Sequence, residues 1–547
     1  MYYIFCYWQS KWINKLCKNG VFVDNILYFA IFVVILRANI SFMAEYIAKT
    51  FVGLENILAE ELINLGANDI EIGRRMVKFS GDKEMMYRAN FSLRTALRIL
   101  KPIKTFKAKT PDEVYNVIKA YDWKSLMTVN NSFAVDTVVY SEEFTHSKFV
   151  AYKVKDAIVD KFMEEDNERP NVSISNPDIR IHLHIAGTDC TLALDSSGDS
   201  LHRRGYRQEA VEAPLNEVLA AGIILQTGWK ADCDFIDPMC GSGTFLIEAA
   251  LIAKNIAPGV FRKQFAFEKW NDFDEELFDK IYNDDSQERD FDHKIYGYDV
   301  DPKAVAIARA NVKAAGLSND IELKLQNFAD FEQPKEKAIM ITNPPYGERI
   351  STPNLLETYK MIGERLKHAF GGNEAWVLSY RKECFDAIGL KPSIKYPLYN
   401  GALECELRKY VCFDGKTKSF LKEGNEMKTD RERKEMAQTH RFKKSREFKE
   451  RLQHIEEMEE ADILSFTFRK PSRPLFSDGK GESKGPRKFR DNDERGGRPG
   501  KGGFKGGKRD SDRKPGGFKK DGYKKDGKRE FGGKREGGHS DGFKRKK

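Results

Sequence analysis

Cysteine is scarce in this chain: eight residues in 547, with no C-x-x-C pair among them. That pattern argues against a disulfide scaffold and against a zinc ribbon. Histidine numbers nine, with no H-E-x-x-H helix, which argues against a zincin. No metal is expected. The apolar run Ile26 to Leu36 is eleven residues, against the roughly 20 that a membrane span requires. Charged residues make up 32% of the chain, which excludes an integral membrane protein. A secretory signal fits poorly, because Lys11, Lys15 and Lys18 lie far upstream of that run and no small-residue cleavage site follows. For residues 1–42 the expected reading is an extension ahead of a true start at Met43. A weak membrane anchor and a genuine N-terminal element are the alternatives. Nothing after Met43 resembles a targeting segment, so the expected compartment is the cytoplasm.

Apolar residues at 40%, aromatics at 12% and a length of 547 are enough for three or four domains with real cores. The net charge of +9 is unevenly spread. Residues 471–547 hold 26 Lys and Arg against 12 Asp and Glu, a net of +14, while the rest of the chain is slightly acidic. That terminal segment has a single Leu, no Val or Ile, 19 of the 42 glycines and Gly–Phe–Lys units at Gly503, Gly517 and Gly542. Such a composition cannot offset its ordering entropy and reads as a disordered basic tail.

Between these ends the hydrophobic pattern divides the chain. Residues 43–100 read as strand, amphipathic helix, strand and helix. Leu54, Ile57, Leu58, Leu62 and Leu65 fall at helical spacing, and a second helix is expected from Met85 to Leu100. Residues 101–205 are mixed again, with a strand around Phe133 to Val138 and a helix from Val150 to Phe162. Ile179, Ile181, Leu183 and Ile185 alternate as a half-buried strand does. His182 and His184 fall on its other face and read as solvent- or RNA-facing. From residue 206 to 413 strand and helix alternate, which implies α/β with a parallel sheet and helices on both faces. The expected strands are Phe235 to Asp237, Ile295 to Asp299, Ile321 to Leu325, Ala338 to Thr342 and Ala375 to Ser379. Residues 414–470 read as a charged linker or solvated helix.

Three strand ends carry the chemistry. The first is Asp237-Pro238-Met239-Cys240-Gly241-Ser242-Gly243-Thr244, a glycine turn between an apolar strand and an apolar helix. Glycines let backbone amides approach a ligand closely. The pattern is neither G-x-G-x-x-G nor a P-loop, and the acid ahead of it disfavours phosphate and favours a cationic or amino-bearing ligand. The second is Asp299, at the end of Ile295-Tyr296-Gly297-Tyr298-Asp299, where an acid can grip a ribose diol. Asp301, just before Pro302, is better placed to cap the next helix. Asp237 and Asp299 are 62 residues apart, against about 20 in the dinucleotide fingerprint. An insertion over Ala257–His293, rich in charges and aromatics, accounts for the excess and is expected on the surface. The third is Asn343-Pro344-Pro345-Tyr346. Two prolines remove two N–H donors and stiffen the backbone. The Asn343 side-chain oxygen and the Pro344 carbonyl remain as acceptors beside the Tyr346 ring, a set suited to the exocyclic amine of a planar base.

In this order the motifs resemble a class I S-adenosylmethionine-dependent methyltransferase that acts on an amino group. More narrowly, Leu201-His202-Arg203-Arg204-Gly205-Tyr206-Arg207, Ala213-Pro214-Leu215-Asn216-Glu217 and Tyr399-Asn400-Gly401-Ala402-Leu403-Glu404-Cys405 resemble the THUMP-containing rRNA guanine-N2 methyltransferases of the RlmL type. The resemblance spans about Met43 to Phe413. It implies a ferredoxin-like segment over 43–100, a THUMP RNA-binding domain over 101–205 and a Rossmann-like methyltransferase domain over 206–413. It implies S-adenosyl-L-methionine as methyl donor, held by Asp237, Pro238, Gly241, Gly243 and Asp299. Where the group usually has Asp at the adenine edge this chain has Asn327, whose amide can still serve. Asn343, Pro344, Pro345 and Tyr346 take the catalytic place. The implied partner is large-subunit ribosomal RNA or its precursor, with no membrane and no stable protein partner. Some relatives carry a second methyltransferase domain; none is expected here, because the tail has no strand–glycine-loop–helix unit. Two rivals are a tRNA guanine or another nucleic-acid amine as substrate, and an inactive RNA-binding assembly protein.

Overall fold

The computed structural model describes residues 43–433, apart from 145, 212–213, 333–335, 346, 348–353, 414, 416, 423, 425 and 430. The expectations made for residues 1–42, for most of 414–470, for the tail 471–547 and for Tyr346 lie outside the described residues.

The N-terminal half is built on one eight-stranded sheet. Its elements are β1 (Ala44–Lys49), α1 (Glu55–Leu65), β2 (Asn68–Gly73), β3 (Met76–Gly81), α2 (Lys83–Ser92), β4 (Arg98–Lys107), α3 (Pro111–Lys119), β5 (Ser132–Tyr140), α4 (Ser147–Asp166), β6 (Asn171–Val172), β7 (Ile179–Ala186) and β8 (Asp189–Asp195). The strand order is β2-β3-β1-β4-β8-β7-β5-β6. The buried side of β7, Ile179, Ile181, Leu183 and Ile185, shares a core with Val150, Val154, Ile158 and Phe162 of α4. Each such side chain contributes about 1.5–3 kcal/mol on burial.

One expectation fails here. The helix expected over Met85 to Leu100 ends at Ser92, and its last residues belong to β4. That strand pairs antiparallel with β1 on one side and β8 on the other, so tertiary pairing overrides the local helical pattern. His182 and His184 lie half-buried on the opposite face of β7. Burial lowers their imidazoles to about 3 and about 4.

The second half carries a seven-stranded sheet, in the order β11-β10-β9-β12-β13-β15-β14. Here lie α5 (Glu217–Thr227), β9 (Asp234–Asp237), α6 (Thr244–Ala253), α7 (Glu275–Tyr282), β10 (Ile295–Asp299), α8 (Pro302–Ala314), β11 (Ile321–Leu325), β12 (Ala338–Thr342), α9 (Leu355–His368), β13 (Glu374–Ser379), α10 (Lys382–Ile388), β14 (Ile394–Asn400) and β15 (Leu403–Val411). The strands from β9 to β13 are parallel and are the expected ones, but β14 and β15 run antiparallel and form a hairpin beside β13. The sequence reading treats that stretch as a motif and misses the pair, although Asn400-Gly401 stands at its turn. Alternate residues feed two cores. Phe235 and Ile341 pack with α5 and α6 on one face, and Ile236 and Met340 with α9 and α10 on the other. Strand order reverses between β9 and β12, the point where open α/β sheets leave a crevice at the carboxyl ends of the strands.

The insertion over Ala257–His293 is not a surface appendage. Phe265, Phe267, Trp270, Phe278 and Ile281 are buried in the core of the N-terminal half. Phe267 stacks on Tyr87 at 4.4 Å, and the Tyr87 hydroxyl accepts from Asp274 N at 3.0 Å. Its aromatics form the joint between the two sheets; the charges around them face outward and mask that role in the sequence. No helix among the described residues is long and apolar enough to cross a membrane.

Candidate active site

The glycine turn sits at the carboxyl end of β9. Asp237 is the last residue of that strand and is buried. Its Oδ1 accepts from Met239 N at 3.2 Å and from Thr342 Oγ1 at 2.9 Å. Burial raises its carboxyl to about 7, against the two hydrogen bonds that oppose the shift. Pro238 is buried behind it. Gly243 adopts φ +80°, and a Cβ there would lie 3.3 Å from Ala308 Cβ of α8. Only glycine brings α6 and α8 this close in that conformation.

Asp299 ends β10, next to β9. One carboxylate oxygen accepts from Gly241 N at 2.9 Å and the other from Asp301 N at 3.0 Å. Asp301 caps α8, accepting from Lys303 N at 2.9 Å. Asn327 follows β11 and is exposed, with its Oδ1 accepting from Ala329 N at 2.9 Å in a short turn. Its oxygen thus has a local partner.

Asn343 follows β12, on the other side of β9 from Asp299. Its Oδ1 is buried without a hydrogen-bond partner among the described residues. A buried, unpaired carbonyl oxygen costs about 1–3 kcal/mol. Pro344 is buried and Pro345 half-buried beside it. The strand order thus brings Asp237, Asp299, Gly241, Gly243 and Asn343 to one crevice.

Sequence reasoning gives no role to the residues that brace this crevice. Arg207 donates through Nε to Glu217 at 2.7 Å, through Nη1 to Ser242 Oγ at 2.9 Å and through Nη2 to Thr244 Oγ1 at 2.9 Å. Asn311 of α8 donates to the Ser242 carbonyl at 3.0 Å and accepts from Gln208 N at 2.8 Å. These bonds shape the glycine turn from outside. The arginine lies within a quoted motif, but only its position in space reveals the bracing. Arg204 of the same motif forms a buried pair with Glu248 of α6 at 3.4 Å, and Tyr206 donates to the same oxygen at 2.9 Å.

The crevice therefore offers buried and part-buried acids, a glycine turn and one unpaired acceptor. That donor and acceptor set suits a cationic, ribose-bearing cofactor beside an amino group. Among the described residues, one group has three metal-ligand types together, Asp234, His293 and Glu336. It lies at the amino ends of β9, β10 and β12, the opposite edge of the sheet.

Three family models match the chain in succession. Residues 204–409 match the family described as RMKL-like, methyltransferase domain. Residues 108–195 match the THUMP domain and residues 45–100 the RlmL ferredoxin-like domain. The "Ribosomal RNA large subunit methyltransferase K/L" of Syntrophotalea carbinolica is 39% identical over 422 residues, covering 73% of this chain and 59% of that protein. The "Putative RNA methyltransferase slr0064" of Synechocystis is 39% identical over 371 residues, covering 67% of this chain and 97% of that protein. Among solved structures, "SMU.472, a putative methyltransferase complexed with SAH" is 32% identical with a TM-score of 0.62, covering 68% of this chain and 99% of that one. The chain spans little more than half the length of the large-subunit K/L relatives it matches, 59% and 54% for two of them.

Proposed function

We propose, since the chain belongs to the family of RMKL-like methyltransferases with THUMP and ferredoxin-like domains, that it methylates the N2 amine of a guanine in large-subunit ribosomal RNA, with S-adenosylmethionine as donor. The observation that carries the reading is the buried Oδ1 of Asn343 at the end of β12, which has no hydrogen-bond partner among the described residues.

When bound, S-adenosylmethionine supplies a methyl group already activated on a sulfonium. The chain's own residues do the rest. Asp237 would face a cationic group of the cofactor, Asp299 would hold its ribose diol, and the Asn327 amide would meet its adenine edge. A guanine N2 lone pair is delocalised into the ring, so the amine must be oriented. Asn343 Oδ1 and the Pro344 carbonyl accept its two N–H bonds, and the Tyr346 ring stacks on the base. Catalysis is then chiefly positioning. A paired target must first leave its stack, as for other enzymes that modify bases. The THUMP domain supports an RNA substrate, and the large-subunit K/L relatives support ribosomal RNA.

The test is to map methylated nucleotides in ribosomal RNA from wild-type and deletion strains. Loss of one N2-methylguanine in the large subunit is expected. An unchanged ribosomal pattern, with the missing methyl group in tRNA or on adenine N6, would overturn the substrate assignment.

A further inference from the structure

The charges around the crevice are sorted by strand. At the carboxyl ends of β9 and β10 stand Asp237, Asp299 and Asp301. Two strands away from β9, beyond β12 with Asn343, the end of β13 presents Arg381 and Lys382. Among the described residues of the loops that close the five parallel strands, before the following helices begin, Arg381 is the one Lys or Arg, and Lys382 is next to it. Arg381 is part-exposed and Lys382 exposed. The guanidinium lies beside Gly347, four residues after Asn343: a Cβ there would be 3.2 Å from Arg381 Nη1. Its Nε donates to the exposed Glu383 at 2.7 Å. An exposed pair of that kind is worth about 0–1 kcal/mol.

Strands lie about 4.8 Å apart, so acids, acceptor and bases fall in a row across the crevice mouth. Acids repel phosphate and attract the sulfonium and amino groups of the cofactor. Cations do the reverse. We infer that Arg381 and Lys382 bind the backbone phosphates flanking the target nucleotide, so that cofactor and RNA enter the crevice from opposite sides of Asn343. The inference rests on the RNA-methyltransferase reading above and adds the residues that hold the substrate's backbone beside the reacting amine.

The experiment uses the full chain with Arg381→Ala, Lys382→Ala, both together, and Arg381→Lys. A short guanosine-containing oligoribonucleotide is titrated at several salt concentrations, and S-adenosylmethionine affinity is measured by calorimetry on the same proteins. Each alanine variant should bind the RNA more weakly and flatten the slope of log affinity against log salt by about 0.7, the value for one phosphate contact on a single strand. The double variant should lose about twice that, and Arg381→Lys should keep the wild-type slope. Cofactor affinity should not change. An unchanged slope in the double variant overturns the inference, as does a loss of cofactor affinity equal to the loss for RNA. A wild-type protein that binds this RNA with the expected slope but methylates no ribosomal guanine overturns the earlier reading and leaves the phosphate contact standing.

Discussion

Thr342 Oγ1 donates to Asp237 Oδ1 at 2.9 Å, so the residue before the Asn-Pro-Pro turn is tied to the acid before the glycine turn. The two loops of the crevice share one buried hydrogen bond across adjacent parallel strands. Anything that moves the acid is felt beside Asn343.

Asp237 makes the protein's behaviour depend on pH. Its carboxyl is raised from 3.8 to about 7 by burial. The folded state therefore holds a proton that the unfolded chain releases. This group's contribution to stability is fully present below about 4 and is lost as pH rises through about 7. Chemical denaturation across that range should show the stability of wild type falling relative to that of Asp237→Asn as pH rises. A cationic cofactor group beside the carboxyl would expel the proton. Cofactor affinity should then rise through neutral pH, with proton release visible in calorimetry in buffers of different ionisation heat. Proton release of equal size in Asp237→Asn would remove the acid from the cofactor site.

Asn343→Ala separates binding from chemistry. S-adenosylmethionine should bind as before, while methylation falls by more than two orders of magnitude, about 2.7 kcal/mol in the barrier. The apo variant should be no less stable than the parent, because the orphaned oxygen is lost with the amide. Near-normal turnover would show that the acceptor lies elsewhere.

Asp299→Ala should weaken cofactor binding by about 1.5–3 kcal/mol, the range for hydrogen bonds to charged groups. The structure gives this residue a second task, since Gly241 N and Asp301 N both donate to it. An unchanged dissociation constant, with circular dichroism intact, would leave it only the bracing task.

Arg204→Leu tests the joint behind the crevice. The side chains of Arg204 and Glu248 are 2% and 0% exposed, and removing the cation strands a buried carboxylate. The expected cost is about 3–5 kcal/mol, read as a lower midpoint in urea. Gly205, at φ +116°, is constrained too: a Cβ there would fall 2.1 Å from the Phe261 carbonyl oxygen. An Arg204→Leu protein as stable as its parent would mean that the joint relaxes without cost.

Strands β9, β10 and β12 are legible in the sequence because each is a short, largely apolar run that ends in or leads into a residue of unusual chemistry. Asp237, Asp299 and Asn343 can be read for the same reason: a strand end fixes where a side chain goes. Arg207 and Asn311 cannot, because Ser242 of the glycine turn, which both hold, is 35 and 69 residues away and a lone Arg or Asn in a loop or helix carries no local signal. The insertion misleads because its aromatics bury against a surface supplied by residues about 190 positions earlier, a partner that no window on the sequence contains. The end of α2 misleads because β4 gains two neighbours that its own residues do not advertise.

The shared core of the insertion and the N-terminal half has a consequence for dissection of the protein. Phe265, Phe267 and Phe278 belong by chain position to the catalytic domain and by packing to the other half. A cut near residue 205 would leave both fragments with bare aromatic surface, and neither would be a free-standing module. Swapping the N-terminal half for that of a distant relative would require the insertion to travel with it. Because the two halves share one buried core, they are mortised and not hinged.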